Sequence, residues 1–143
     1  MSSLLKVSEA ASLALHATAV MAGARGERVT ARKVASVLGV SEAHLAKVLQ
    51  RLTRAGLVRG TRGPHGGYRL TRPARQISLR EVYEAVEGSL EVEHCLLGVP
   101  VCGQRKCLVA GLFEKLGREM IRELGKTTLN DFQVSIDTQC GGR

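Results

Sequence analysis

Between Ser41 and Gly56 the apolar residues Leu45, Val48, Leu49 and Leu52 recur at spacings of three and four, which places them on one face of a helix. Ser41 ahead of the run is an N-cap candidate, and Gly56 behind it is a C-cap signal. The opposite side carries His44, Lys47, Arg51 and Arg54. Upstream, Ala10, Leu13, Ala14, Ala17, Val20 and Met21 form the buried side of a helix predicted over residues 6–23, ended by Gly23 and Gly26. Thr30 caps a short helix with Val34, Val37 and Leu38 inward, and Gly39-Val40-Ser41 makes a tight turn. Two helices joined by such a turn are a helix-turn-helix. Downstream, the apolar pair Leu57-Val58 is followed by the basic, glycine-rich turn of residues 59–67 and by Tyr68-Arg69-Leu70 as a returning strand. Helix, strand, basic turn, strand is the order of a winged helix. Its helix enters a major groove, and its wing follows the backbone or a minor groove.

The second half reads differently. Thr71 to Ala74 is a linker, where Pro73 opposes a continuous helix. Ser78 and Glu81 are spaced as a capping box, opening a helix through Val82, Tyr83 and Val86 that Gly88 closes. A long helix is predicted from Cys107 to Gly125, with Val109, Leu112, Phe113, Leu116, Met120 and Leu124 on one side. That side is wide for a helix lying on so small a domain. It is either an ordinary core helix or a helix that pairs with its copy, and a two-fold protein matches a two-fold operator. The expected organisation is a winged helix-turn-helix DNA-binding domain over residues 1–88 and a cysteine-bearing loop over 89–107. A dimerisation helix and a short terminal helix starting near Thr128 follow over 108–132, with a flexible tail over 133–143.

Composition narrows the class. A chain of 143 residues allows one domain, or one domain plus an appended element. Tyr68, Tyr83, Phe113 and Phe132 are its only aromatic residues, so the core is Leu, Val and Ala, and the fold class is mainly α with a small β-wing. Residues 1–80 hold 14 Lys and Arg against 3 Asp and Glu, a balance of +11, whereas residues 81–143 hold 7 against 10, a balance of −3. Basic charge therefore concentrates where the winged-helix pattern sits, as phosphate binding requires. No stretch is long and apolar enough to span a bilayer and no secretory signal is evident, so a soluble, cytoplasmic protein is expected, with no membrane partner. No Ser/His/Asp set, phosphate loop or metal–base pair suggests an enzyme.

Cys95, Cys102 and Cys107 follow Cys-x6-Cys-x4-Cys in a stretch whose glycines bend freely, so three sulfurs can converge on one centre. Thiolates suit iron–sulfur centres and zinc. Three are one short of the usual four, so a fourth ligand comes from elsewhere or the site stays open. The spacing itself leaves an iron–sulfur cluster, zinc and metal-free thiols as alternatives.

Four segments together carry a resemblance. They are Val-Ser-Glu-Ala-His-Leu-Ala-Lys-Val-Leu-Gln-Arg-Leu from Val40, Ala-Gly-Leu-Val from Ala55, the wing Arg-Gly-Pro-His-Gly-Gly-Tyr from Arg62, and the three cysteines after Val-Tyr-Glu-Ala-Val-Glu-Gly. Over roughly residues 5–132 the chain resembles the Rrf2 family of winged-helix transcriptional regulators, in particular its IscR-like and NsrR-like members. The resemblance implies a homodimer, often a repressor, that binds a pseudo-palindromic operator in double-stranded DNA. It implies sensing of iron–sulfur, redox or nitric-oxide status through a 2Fe–2S or 4Fe–4S cluster held by Cys95, Cys102 and Cys107. Ser41, His44, Lys47 and Arg51 would face the major groove, and Arg59, Arg62 and His65 would serve the wing. One member takes its fourth ligand from a His shortly after the last Cys, but the matching position here is Ala110. Others take it from the first helix of the partner subunit, which points to Glu9 first and His16 second, with His94 as a third option. The alternative is a metal-free regulator of the same fold that senses a small molecule, a partner protein or thiol oxidation.

Overall fold

The computed structural model describes residues 7–92, 95, 97 and 107–132. Hydroxyl caps open four of its helices. Ser8 Oγ accepts from Ala11 N–H at 3.0 Å and starts α1 (Glu9–Gly23). Thr30 Oγ1 accepts from Lys33 N–H at 3.2 Å and starts α2 (Ala31–Leu38). Ser41 Oγ accepts from His44 N–H at 3.2 Å and starts α3 (Glu42–Arg54). Ser78 and Glu81 close a reciprocal capping box on α4 (Leu79–Glu87). Each cap satisfies an N–H that the helix itself leaves unpaired and contributes about 1 kcal/mol.

Between α2 and α3 the chain turns at Gly39, whose φ of 66° is left-handed and costs a side chain-bearing residue strain. Val34, Leu45, Val48, Leu49 and Leu52 are buried against Ala11, Ala14, Ala17, Val20 and Met21 of α1. The alanines let these helices approach closely. Val82 and Val86 of α4 complete the cluster from the other side, with Ile77. Ser8 Oγ also donates to Glu87 Oε1, tying the start of α1 to the end of α4.

The wing is an antiparallel pair, β1 (Val58–Thr61) and β2 (Gly67–Leu70), in the register Val58↔Leu70, Arg59↔Arg69, Gly60↔Tyr68 and Thr61↔Gly67. Val29 adds a bridge on its other edge, exchanging hydrogen bonds with Tyr68 at 2.9 and 2.8 Å. At the tip, a Cβ on Gly66 would lie 2.3 Å from the Thr61 carbonyl oxygen, so the hairpin closes only with glycine there.

The last helix, α5 (Leu108–Lys126), begins at Cys107 and packs along α4. Its C-terminal end is clamped: Leu79 N–H donates to Thr127 O and Leu129 N–H to Ile77 O, both at 2.9 Å, around a Ser78↔Thr128 bridge. Leu129 is fully buried as a result. This corrects one expectation, because residues 128–132 form a turn, not a short helix. The two backbone bonds to the Ile77–Leu79 stretch hold the segment extended, and Asp131 Oδ2 takes the Thr128 N–H at 2.9 Å. The first helix also starts at Glu9, later than the predicted residue 6, because Ser8 is its cap. The expected tail over 133–143 lies outside the described residues.

Candidate nucleic-acid interface and cysteine segment

Helix α3 turns its apolar stripe to the core and its other side outward. At about 100° per residue, Ala43, Lys47, Gln50 and Arg54 fall opposite the buried stripe, and all four are exposed. His44 and Arg51 fall on one flank instead. His44 is half-buried and its Nδ1 lies 3.5 Å from Glu9 Oε1, across from the first turn of α1. Arg51 donates from Nη1 to the Val86 carbonyl at 3.0 Å, at the C-terminal end of α4, where a cation meets the partial negative charge of the helix end. Two residues expected to face the major groove thus engage their own domain. The i+3/i+4 grouping could not separate flank from outer face, whereas the angular count also brings in Gln50. Ser41 is exposed at the start of the helix with its oxygen on the His44 N–H.

The wing's two faces also divide the predicted residues. Gly60, Thr61, Arg62 and Tyr68 line a hollow of about 450 Å³ with Gln50, Thr53 and Arg54 of α3. Arg62 therefore stands on the recognition-helix side. Arg59 is on the opposite sheet face, beside its cross-strand neighbour Arg69, and lines a separate cleft with Arg25 and Arg72. His65 sits at the wing tip, and its carbonyl accepts from Arg28 Nη1 at 3.2 Å. The concave surface between α3 and the wing, lined by Arg54 and Arg62, has the shape and sign to take a duplex edge: a helix for the groove and guanidinium groups for the phosphates.

The predicted ligands are only partly within view. Cys102 and His94 lie outside the described residues. Cys95 is half-buried. Cys107 is exposed as the N-cap of α5, its Sγ 3.4 Å from Ala110 N. Glu9 and His16 share one side of α1 and line a hollow with Leu13, Leu38 and Val40. His16 Nδ1 is 2.7 Å from the Ser12 carbonyl oxygen, and its ring meets Phe132 edge-on at 5.6 Å. Among the described residues no three His, Cys, Asp or Glu side chains of one chain converge as metal ligands.

Directly after Cys107, α5 exposes Leu108 (91%), Leu112 (56%) and Leu116 (45%), together with Val109 and Phe113. These recur at one and four and form one continuous apolar stripe over two turns. Further along, Met120 and Leu124 are half-buried. Acidic side chains near the α4–α5 junction have carboxyls held below their ordinary range. For Glu81, burial pushes the value up, but hydrogen bonds from Arg72 and the Ser78 backbone outweigh it. For Glu84, the Leu90 N–H dominates over burial, with Arg80 adding to it. Among the described residues no helix is long and apolar enough to cross a membrane.

Comparison with known proteins gives consistent results. The Rrf2 family profile, described as an iron-dependent transcriptional regulator, matches residues 7–134. The chain is 47% identical over 73 residues to the protein aau3 of Rhizobium meliloti, spanning 50% of this chain and 47% of that protein's length. It is 37% identical over 108 residues to the HTH-type transcriptional regulator IscR of Cereibacter sphaeroides, spanning 73% and 70% of the two chains. Its fold superimposes on CymR, the global cysteine regulator of Bacillus subtilis, with a TM-score of 0.75 and 25% identity, over 90% of this chain and 95% of that one.

Proposed function

Because this chain belongs to the Rrf2 family of transcriptional regulators, we propose that it works as a homodimer that represses from a two-fold operator and reads iron–sulfur, redox or nitric-oxide status at its cysteines. It is a DNA-binding transcriptional regulator, as its relatives are, and not an enzyme. The observation that carries the rest is the stripe on α5. Exposed Leu108, Leu112 and Leu116 need cover, and the stripe begins at a cysteine. Pairing of two such stripes would bury apolar surface and set two copies of α3 on one duplex, at half-sites one helical turn or a multiple apart.

In the DNA complex, Lys47 and Gln50 read base edges, Ser41 approaches the backbone at the start of α3, and Arg54 and Arg62 neutralise phosphates. His65 follows the wing tip. Gln and Lys suit base edges because they present donors at the reach a major groove needs.

Cys95, Cys102 and Cys107 would hold the iron–sulfur cluster. The donor set fits: thiolates are the usual ligands of such centres, and a backbone N–H directed at a cysteine sulfur, as Ala110 offers Cys107, is one of the protein's means of tuning them. When bound, the cluster supplies a redox-active tie among these sulfurs. Cys107 caps α5, so a change at its sulfur bears on the start of the dimer stripe. Glu9, donated by the partner subunit, is the first choice for the remaining position and His16 the second. Glu9 stands 3.5 Å from His44, so recruiting it would remove a side-chain neighbour from the flank of α3.

Anaerobic purification tests this reading, with a visible spectrum and an iron and sulfide count per chain. Iron and sulfide with visible absorbance, both lost in Cys102→Ala, are expected. A second reading is favoured by the likeness to CymR: a metal-free regulator of this fold that responds through its thiols. A colourless anaerobic protein without iron that still shifts operator DNA would replace the first reading with the second.

A further inference from the structure

Arg59 and Arg69 stand directly opposite each other on adjacent strands of the wing. Like charges so placed weaken a strand pair unless something lies between them. Their cleft, of about 570 Å³, also receives Arg25 from the turn after α1 and Arg72 from the linker. Among the described residues no carboxylate lines it. Arg72 is bonded to Glu81 at 2.7 Å and to the Gln76 carbonyl at 3.1 Å. Among the described residues, no carboxylate lies within ion-pair distance of Arg25, Arg59 or Arg69. Arg25 is held at a φ of 51°, the one non-glycine residue with positive φ among those described. Left-handed backbone at a non-glycine residue is uncommon, and it concentrates at ligand clamps and functional turns.

We propose that this cleft binds a small organic anion bearing carboxylate or phosphate groups, as an effector site distinct from the duplex-reading surface. Two features favour a small molecule over a DNA phosphate. The lining also includes apolar Met21, Leu70 and Pro73 beside the arginines, which suits a carbon skeleton between guanidinium groups. The side chains of Arg59 and Arg69 also alternate with Gly60 and Tyr68, so they project from the sheet face turned away from α3. The volume lies within the roughly 300–1,000 Å³ of small-molecule sites. An anion there would join the end of α1, both wing strands and the linker, and so fix the wing relative to the helices. By linkage it would change operator affinity, and the operator would change its affinity by the same factor. The proposal does not depend on the cluster reading.

Calorimetric titration of the full-length protein with citrate and with inorganic pyrophosphate, at ionic strength matched with sodium chloride, tests it. One probe at least is expected to bind saturably at one site per chain. In Arg25→Gln/Arg69→Gln, checked by circular dichroism for an intact fold, affinity should fall about tenfold per guanidinium removed. Operator affinity of that variant without the probe should equal that of the parent. No saturable binding of either probe, or equal binding by the variant, overturns the site. Loss of operator affinity in the probe-free variant, as severe as in Arg62→Gln, would instead assign these arginines to DNA phosphates.

Discussion

The two halves of this chain solve the burial problem in opposite ways. Up to Gly88, nearly every apolar residue at helical spacing finds its cover within the same chain: Leu45, Leu49 and Leu52 are at most 1% exposed. In α5 the spacing is as regular, yet Leu108, Leu112 and Leu116 stay open to solvent. A regular apolar stripe left uncovered beside a finished core implies a partner surface. On the proposed reading, the winged-helix half is complete in one chain, and the cysteine-capped helix awaits a second copy.

The sharpest way to break this contrast is Leu112→Glu/Leu116→Glu. It should convert a dimer into a single chain of 15.3 kDa by light scattering and weaken operator binding about a hundredfold or more, through lost two-site avidity. Helical circular dichroism should be retained. A variant that stays dimeric would place the interface elsewhere. Next, Arg62→Gln should weaken operator binding about tenfold and lower the salt slope by about one. Arg51→Gln should leave the slope unchanged and cost stability, because its partner is the Val86 carbonyl. Equal salt slopes for the two variants would make Arg51 a phosphate contact as well.

Smaller effects probe the join between the halves. Ser78→Ala removes one arm of the α4 capping box and should cost about 1 kcal/mol, read as a melting temperature lower by about 3–5 °C. The dimer should remain. The depressed carboxyls of Glu81, Glu84 and Asp131 add a pH dependence. A carboxyl whose folded value lies below its unfolded one stabilises above the unfolded value, and that stabilisation is lost as pH falls through the folded one. Stability should therefore hold from neutral pH to about 5 and decline below the ordinary carboxylate range near 4.5. Glu81→Gln should flatten part of that decline in an acid titration followed by circular dichroism.

Much of the fold is legible in the sequence because its determinants are local. Ser41, Ser78 and Glu81 cap within three residues of themselves, and Gly39 marks its own turn. What escapes is long-range. The Thr128–Phe132 segment carries a helix-start pattern, but hydrogen bonds to Ile77 and Leu79, some fifty residues away in sequence, hold it as a bridge and turn. The direction of Arg51 depends likewise on where α4 ends. Within the site, Lys47 and Arg62 are readable from charge and register. The separation of Arg59 from Arg62 onto two wing faces needs the strand pairing. Gln50 was hidden because it bears no charge.

We propose that the cysteine segment governs how tightly the winged-helix half holds its operator. That coupling is tested most directly by measuring operator affinity of one anaerobic preparation, at a single fixed salt concentration, before and after chelation and removal of its iron. A dimer is expected in both states, with at least about a tenfold difference in Kd, which corresponds to about 1.4 kcal/mol of coupling. Identical affinities in the two states would contradict it.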